Sequence, residues 1–161
     1  MIARLMFAMV SFAARKGLTD PETAESAQAD SRLRARRTGI RGETYAYWYL
    51  RRHRYVMVAR NYTAPGLKGE IDMVGYDGAV LAFVEVKTRA ATRADQPRPE
   101  EAVNADKEHH LARMAGQFLR ARKLDGVAHR FDVVAIETRP GARPVLRLHK
   151  GAFTSSSQKS R

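Results

Sequence analysis

Three charged residues, Asp72, Glu85 and Lys87, interrupt runs otherwise made of Ile, Met, Val, Leu and Phe. A charge in such a run is costly unless it is paired or bound to a metal. The runs Ile71 to Tyr76 and Val80 to Val86 flank Asp77-Gly78, a dipeptide suited to the positive φ of a tight hairpin turn. Antiparallel pairing across that turn brings residue 72 close to residues 83 to 85, and alternation along a strand puts Leu81, Phe83, Glu85 and Lys87 on one face. Two carboxylates and an amine therefore converge. Asp72 and Glu85 suit a hard divalent cation, Mg²⁺ or Mn²⁺, and Lys87 suits the orientation or activation of a water that attacks a phosphodiester. The same residues can also form a buried ion pair, Lys87 with Glu85 or Asp72, and carry no chemistry.

Two helices are expected to cover the sheet that carries this hairpin. The first spans about Thr38 to Arg52, with Thr38 as N-cap. Gly39, Glu43, Ala46 and Leu50 recur at helical spacing, so Glu43 falls on the sheet-facing stripe as a third inward carboxylate, unless it only complements the helix N-terminus. The second helix spans about Glu100 to Arg122, with Val103, Lys107, Leu111, Met114, Ala115, Phe118 and Leu119 on one face. Lys107 thus points toward the sheet, to contact phosphate or to snorkel. Glu108, His109 and His110 are set aside as metal ligands, because helix neighbours diverge by about 100°. Strands are expected at Tyr55 to Tyr62, Arg130 to Glu137 and Pro144 to Leu148, and a mobile basic loop from Arg89 to Glu101.

The chain has 161 residues, room for one domain with a five-stranded sheet and two covering helices. Its 29 Lys and Arg against 17 Asp and Glu leave a net charge of +12, which points to a polyanionic partner, nucleic acid first. Arg32, Arg34, Arg36, Arg37 and Arg41 lead into the first helix, and Arg41, Arg89 and Lys107 are the candidate phosphate contacts. Without cysteine there is neither a disulfide framework nor a thiolate zinc site, in keeping with a cytoplasmic protein. No apolar run is long enough to span a bilayer, and a membrane is not among the expected partners. Leu5 to Ala14 has the look of a signal-peptide core, but Arg15-Lys16 follows the small residues. Residues 1–37 are expected to be a disordered basic leader that adds nothing to the core, 38–153 the folded domain, and 154–161 a polar tail.

The Asp on one strand followed by Glu-x-Lys on the next resembles the PD-(D/E)xK nuclease superfamily, although Ile71 stands where that pattern has Pro. The ordered set GIRGE (residues 39–43), Arg60-Asn61-Tyr62, GEID (69–72), FVEVKTR (83–89), Glu101-Ala102-Val103 with Lys107, and RFDVV (130–134) resembles the YraN family of uncharacterised, endonuclease-like bacterial proteins. That family is similar to archaeal Holliday-junction resolvases. The resemblance covers about residues 38 to 153. It implies a restriction-endonuclease-like α/β fold, a mixed sheet of about five strands flanked by helices. Glu43, Asp72, Glu85 and Lys87 would then form the site, with Lys107 as an accessory.

The function expected is Mg²⁺- or Mn²⁺-dependent hydrolysis of DNA, branched DNA included, by a monomer or a homodimer. The backbone carbonyl of Val86 could add a metal ligand, and Glu43 could bind through water. Two other readings share the surface: a non-catalytic nucleic-acid binder on a nuclease-like scaffold, and a protein-interaction adaptor using the apolar leader and the aromatic helix. Inward carboxylates, which repel phosphate, disfavour the plain binder.

Overall fold

The computed structural model describes residues 2–15, 41–90, 105–139 and 142–153. Among them are three helices, α1 (Ile2–Arg15), α2 (residues 41–52) and α3 (Ala105–Ala121). Five strands complete the fold: β1 (Val56–Tyr62), β2 (Ile71–Asp77), β3 (Val80–Ala90), β4 (His129–Thr138) and β5 (Val145–Phe153). The strands form one mixed sheet in sequence order, antiparallel except for the parallel β3–β4 pair. A parallel neighbour needs a crossover, and α3 supplies it.

The β2–β3 hairpin turns where the sequence predicts, with Asp77 paired to Val80 and Gly78 at φ +62. Alternation along β3 divides the apolar residues between two cores. Leu81 and Phe83 pack with Leu111, Met114, Ala115 and Phe118 of α3 on one face. Ala82 and Val84 pack with Tyr45, Ala46 and Leu50 of α2 on the other. The result is an α/β fold with helices on both sides of the sheet, as expected. β5 runs five residues beyond the expected end at Leu148, because Phe153 stacks on Phe131 at 4.7 Å and carries the pairing onward.

The expected leader needs correcting over its first part. Residues 2–15 form a helix whose Phe7 and Val10 pack against the α2 core, Phe7 edge-on to Tyr45 at 6.1 Å. The Tyr45 hydroxyl donates to the Val10 carbonyl at 2.9 Å. The Thr38 cap, the loop from 91 to 101, Val103 and the tail 154–161 lie outside the described residues.

Candidate functional site

The site is built where β2 leaves β3. Their ladder ends at the Met73–Val84 pair, although β2 stays with β1 as far as Tyr62–Ile71 and β3 stays with β4 as far as Ala90–Thr138. In place of the next ladder bond, the Val86 amide donates to Asp72 Oδ2 at 2.6 Å. The parting strands leave a notch between them, and the Val86 amide holds Asp72 in it.

Glu85 continues the Leu81–Phe83 face and so points to the α3 side, 4 % exposed. Lys107, one turn before Leu111 on α3, reaches it: Lys107 Nζ lies 2.5 Å from Glu85 Oε1. Lys87, two residues along the strand, lies 3.0 Å from the same oxygen. The other oxygen, Glu85 Oε2, is buried and accepts no hydrogen bond. A buried carboxylate oxygen without a donor calls for an explanation, and an ion is one.

Asp72 carries a second sign of crowding. Its pKa rises to about 7, first through burial and then through the negative charge of Glu85, with a smaller push from Glu43. The Val86 amide and Lys107 pull it down without offsetting that rise. Burial alone would depress the Lys107 ammonium, but its hydrogen bond and charge pairing with Glu85 outweigh this and hold its pKa above the ordinary value.

Glu43 comes from the opposite layer. It sits in the first described turn of α2 and accepts from Asn61 Nδ2 of β1 at 3.0 Å. The approach of α2 depends on its neighbour, because a Cβ on Gly42 would collide with Thr88 Oγ1 of β3. Glycine there lets the helix start against the strand that carries Glu85 and Lys87. The structure therefore brings Asp72, Glu85, Lys87 and Lys107 together and sets Glu43 near enough for its charge to act on Asp72. Arg41 stands at the described start of α2. Arg89, a candidate phosphate contact, donates to Glu137 Oε1 at 3.2 Å, an oxygen it shares with Arg147.

Asp72 and Glu85 offer hard oxygen donors, with one carboxylate oxygen unpaired, which fits Mg²⁺ or Mn²⁺. Among the described residues no three His, Cys, Asp or Glu side chains stand close enough to hold an ion together. Two carboxylates, Asp72 and Glu85, are what the geometry offers.

A second charged cluster, not among the residues the sequence marks as a site, lies at β4. Asp132, 0 % exposed, accepts from Tyr55 Oη at 2.8 Å, Arg130 Nε at 2.8 Å and the Gly151 amide at 2.9 Å. Arg130 and Lys150 also bind Asp77 beside the hairpin turn. These bonds hold the Asp77 carboxyl below the usual range, Lys150 contributing most. A charge in the run FDVVAI was a signal of the same kind as Asp72. Unlike Glu85, however, both Asp132 oxygens have donors, and the cluster ties β4 to β5 and to Tyr55.

Comparison with known proteins covers the same region. Residues 42–136 match the model described as "Uncharacterised protein family UPF0102". A UPF0102 protein of Koribacter versatilis is 41 % identical over 123 residues, covering 76 % of this chain and 82 % of its own. One from Solibacter usitatus is 43 % identical over 130 residues, 78 % and 96 % of the two chains. One from Symbiobacterium thermophilum is 42 % identical over 119 residues, 74 % and 98 %. The residues of the notch from Glu43 to Lys107 all fall inside the matched span, and the chain belongs to the uncharacterised protein family UPF0102, the YraN family.

Proposed function

We propose that this chain is a divalent-metal-dependent endonuclease of the PD-(D/E)xK type, cutting DNA phosphodiester bonds in the cytoplasm, with branched DNA among its substrates. The observation that carries this is Glu85 Oε2, buried and without a donor, beside an Asp72 whose carboxyl is pushed up to about 7. Asp72 and Glu85 would hold the cation, with the Val86 carbonyl as a further ligand and Glu43 through water. The bound cation would polarise the phosphate and acidify a water. Lys87 has donors and no lone pair, so it serves to position the attacking water and to meet charge developing on phosphate. The net charge of +12 supplies the attraction to the backbone.

One observation favours a second reading. Glu85 Oε1 already faces two ammonium groups, which is how a structural ion-pair network in a non-catalytic binder would look. Incubating the purified protein with duplex, single-stranded and four-way DNA, in Mg²⁺, Mn²⁺ or EDTA, separates the two. Metal-dependent cleavage is expected. Salt-sensitive binding without cleavage in either metal leaves the binder.

A further inference from the structure

The surface that the nuclease reading leaves unused is the outer side of α1. Its inner side is occupied, Phe7 and Val10 being packed on the α2 core. Ile2, Leu5, Met9 and Phe12 lie along the outer side, each between 52 % and 74 % exposed. These apolar side chains fall in one stripe rather than singly over the surface. The stripe also lies outside the span matched by the family model, residues 42–136.

Area and charge identify what covers it. A helix of 14 residues is about 21 Å long, so the stripe offers on the order of 200 Å², far short of the roughly 800 Å² per partner of a stable dimer. The segment that follows in the chain, residues 16–40, holds Leu18, Leu33 and Ile40 as its large apolar residues and is otherwise small, polar or charged. A bilayer needs no matching shape, since a helix lying in the interface sinks its apolar side among the acyl chains while anionic headgroups attract the basic residues beside it. The surroundings of α1 are basic. Arg4 is exposed on α1 itself, and Arg51, Arg52 and Arg54 are exposed at the end of α2, the Arg52 guanidinium being 5.7 Å from the ring centroid of Phe7 on the inner side. The body behind them carries +12. That no helix among the described residues is long and apolar enough to cross a membrane does not bear on this, because a helix lying flat needs no such length.

We infer that α1 is a surface-lying anchor that docks the protein on an anionic lipid bilayer through Ile2, Leu5 and Met9, with the arginines around it on the headgroups. The test is co-sedimentation of the full chain with vesicles of phosphatidylcholine alone and of phosphatidylcholine mixed with phosphatidylglycerol. Binding to the anionic vesicles and little to the neutral ones is expected. The double variant Leu5→Glu, Met9→Glu should lose at least about tenfold in bound fraction, since two side chains no longer enter the apolar phase. Its thermal melt should match wild type, and Leu5→Gln, Met9→Gln repeats the reading if it does not. Equal binding by wild type and variants would mean that the basic body alone holds the lipid and would overturn the anchor, as would failure of the wild type to bind. A wild-type dimer that the variants break, seen by light scattering, would overturn it in favour of a second copy.

Discussion

Lys107 Nζ of α3 and Lys87 Nζ of β3 meet the same oxygen, Glu85 Oε1, at 2.5 Å and 3.0 Å. Two ammonium groups thus supply the positive charge at a carboxylate that the proposed mechanism assigns to a metal. Lys87 is fixed by its place in the strand, whereas Lys107 is 41 % exposed and has a long stem with which to move away. Lys107→Met is therefore expected to bind Mg²⁺ several-fold more tightly by calorimetry. Its apo stability should fall by no more than about 1 kcal/mol, since solvent screens Lys107 and Lys87 still faces Glu85. Unchanged or weaker Mg²⁺ binding would mean that Lys107 does not compete for the site.

Lys87→Ala is expected to lower cleavage at least about a hundredfold while Mg²⁺ affinity stays near wild type, and Glu85→Ala to lose both. An ammonium cannot ligate a cation but can hold water and meet charge on phosphate. Equal loss of metal affinity in the two variants would reduce the cluster to a structural ion pair.

The carboxyl of Asp72 makes apo stability depend on pH. Its pKa is raised in the folded state to about 7, so between about pH 4 and pH 7 the folded protein binds a proton that the unfolded chain has released. Stability from this group is full below the unfolded pKa and is lost as pH rises through the folded one, a loss of at most a few kcal/mol. Asp72→Asn keeps an acceptor for the Val86 amide and cannot ionise. In EDTA, urea melts should show it near wild type at pH 4 and more stable at pH 8. A less stable variant at both pH values would mean that a structural pair was broken, a loss of roughly 3 to 5 kcal/mol.

Asp132 should behave in the opposite way. It holds Tyr55, Arg130 and Gly151 from three parts of the chain, and Asp132→Ala leaves the Tyr55 hydroxyl and the Gly151 amide without their acceptor, while Arg130 keeps Asp77. A loss of about 1 to 3 kcal/mol in urea denaturation is expected, with Mg²⁺ affinity of the folded protein unchanged. A lowered affinity would show that this cluster also serves the notch.

Phe7→Ala tests the docking of α1. The ring lies 6.1 Å from both Tyr45 and Tyr49, and its removal should cost about 1 to 2 kcal/mol because the site is half-buried. An unchanged melt would restore the expectation that residues 1–37 add nothing to the core.

Local rules settle much of this protein before any fold is known. Asp77-Gly78 sets the hairpin register, strand alternation sends Glu85 and Lys87 to one face, and the 3.6-residue period of Leu111, Met114, Ala115 and Phe118 fixes the buried side of α3 and so the direction of Lys107. Each depends on neighbours within a few residues. Tertiary packing decided the rest. That β2 parts from β3 at Met73 and gives Asp72 the Val86 amide could not be read from the hairpin, since an intact ladder would have paired the backbone there. That Lys107 reaches Glu85 depends on α3 crossing to place β4 parallel to β3. Asp132 looks as exposed to metal chemistry as Asp72 in sequence, and it is Tyr55, 77 residues away, with Arg130 and Gly151, that makes it structural. For α1, periodicity could not say which side of an apolar helix is covered. Tyr45 and Tyr49 choose the side of Phe7 and Val10, and their packing leaves Ile2, Leu5, Met9 and Phe12 outside.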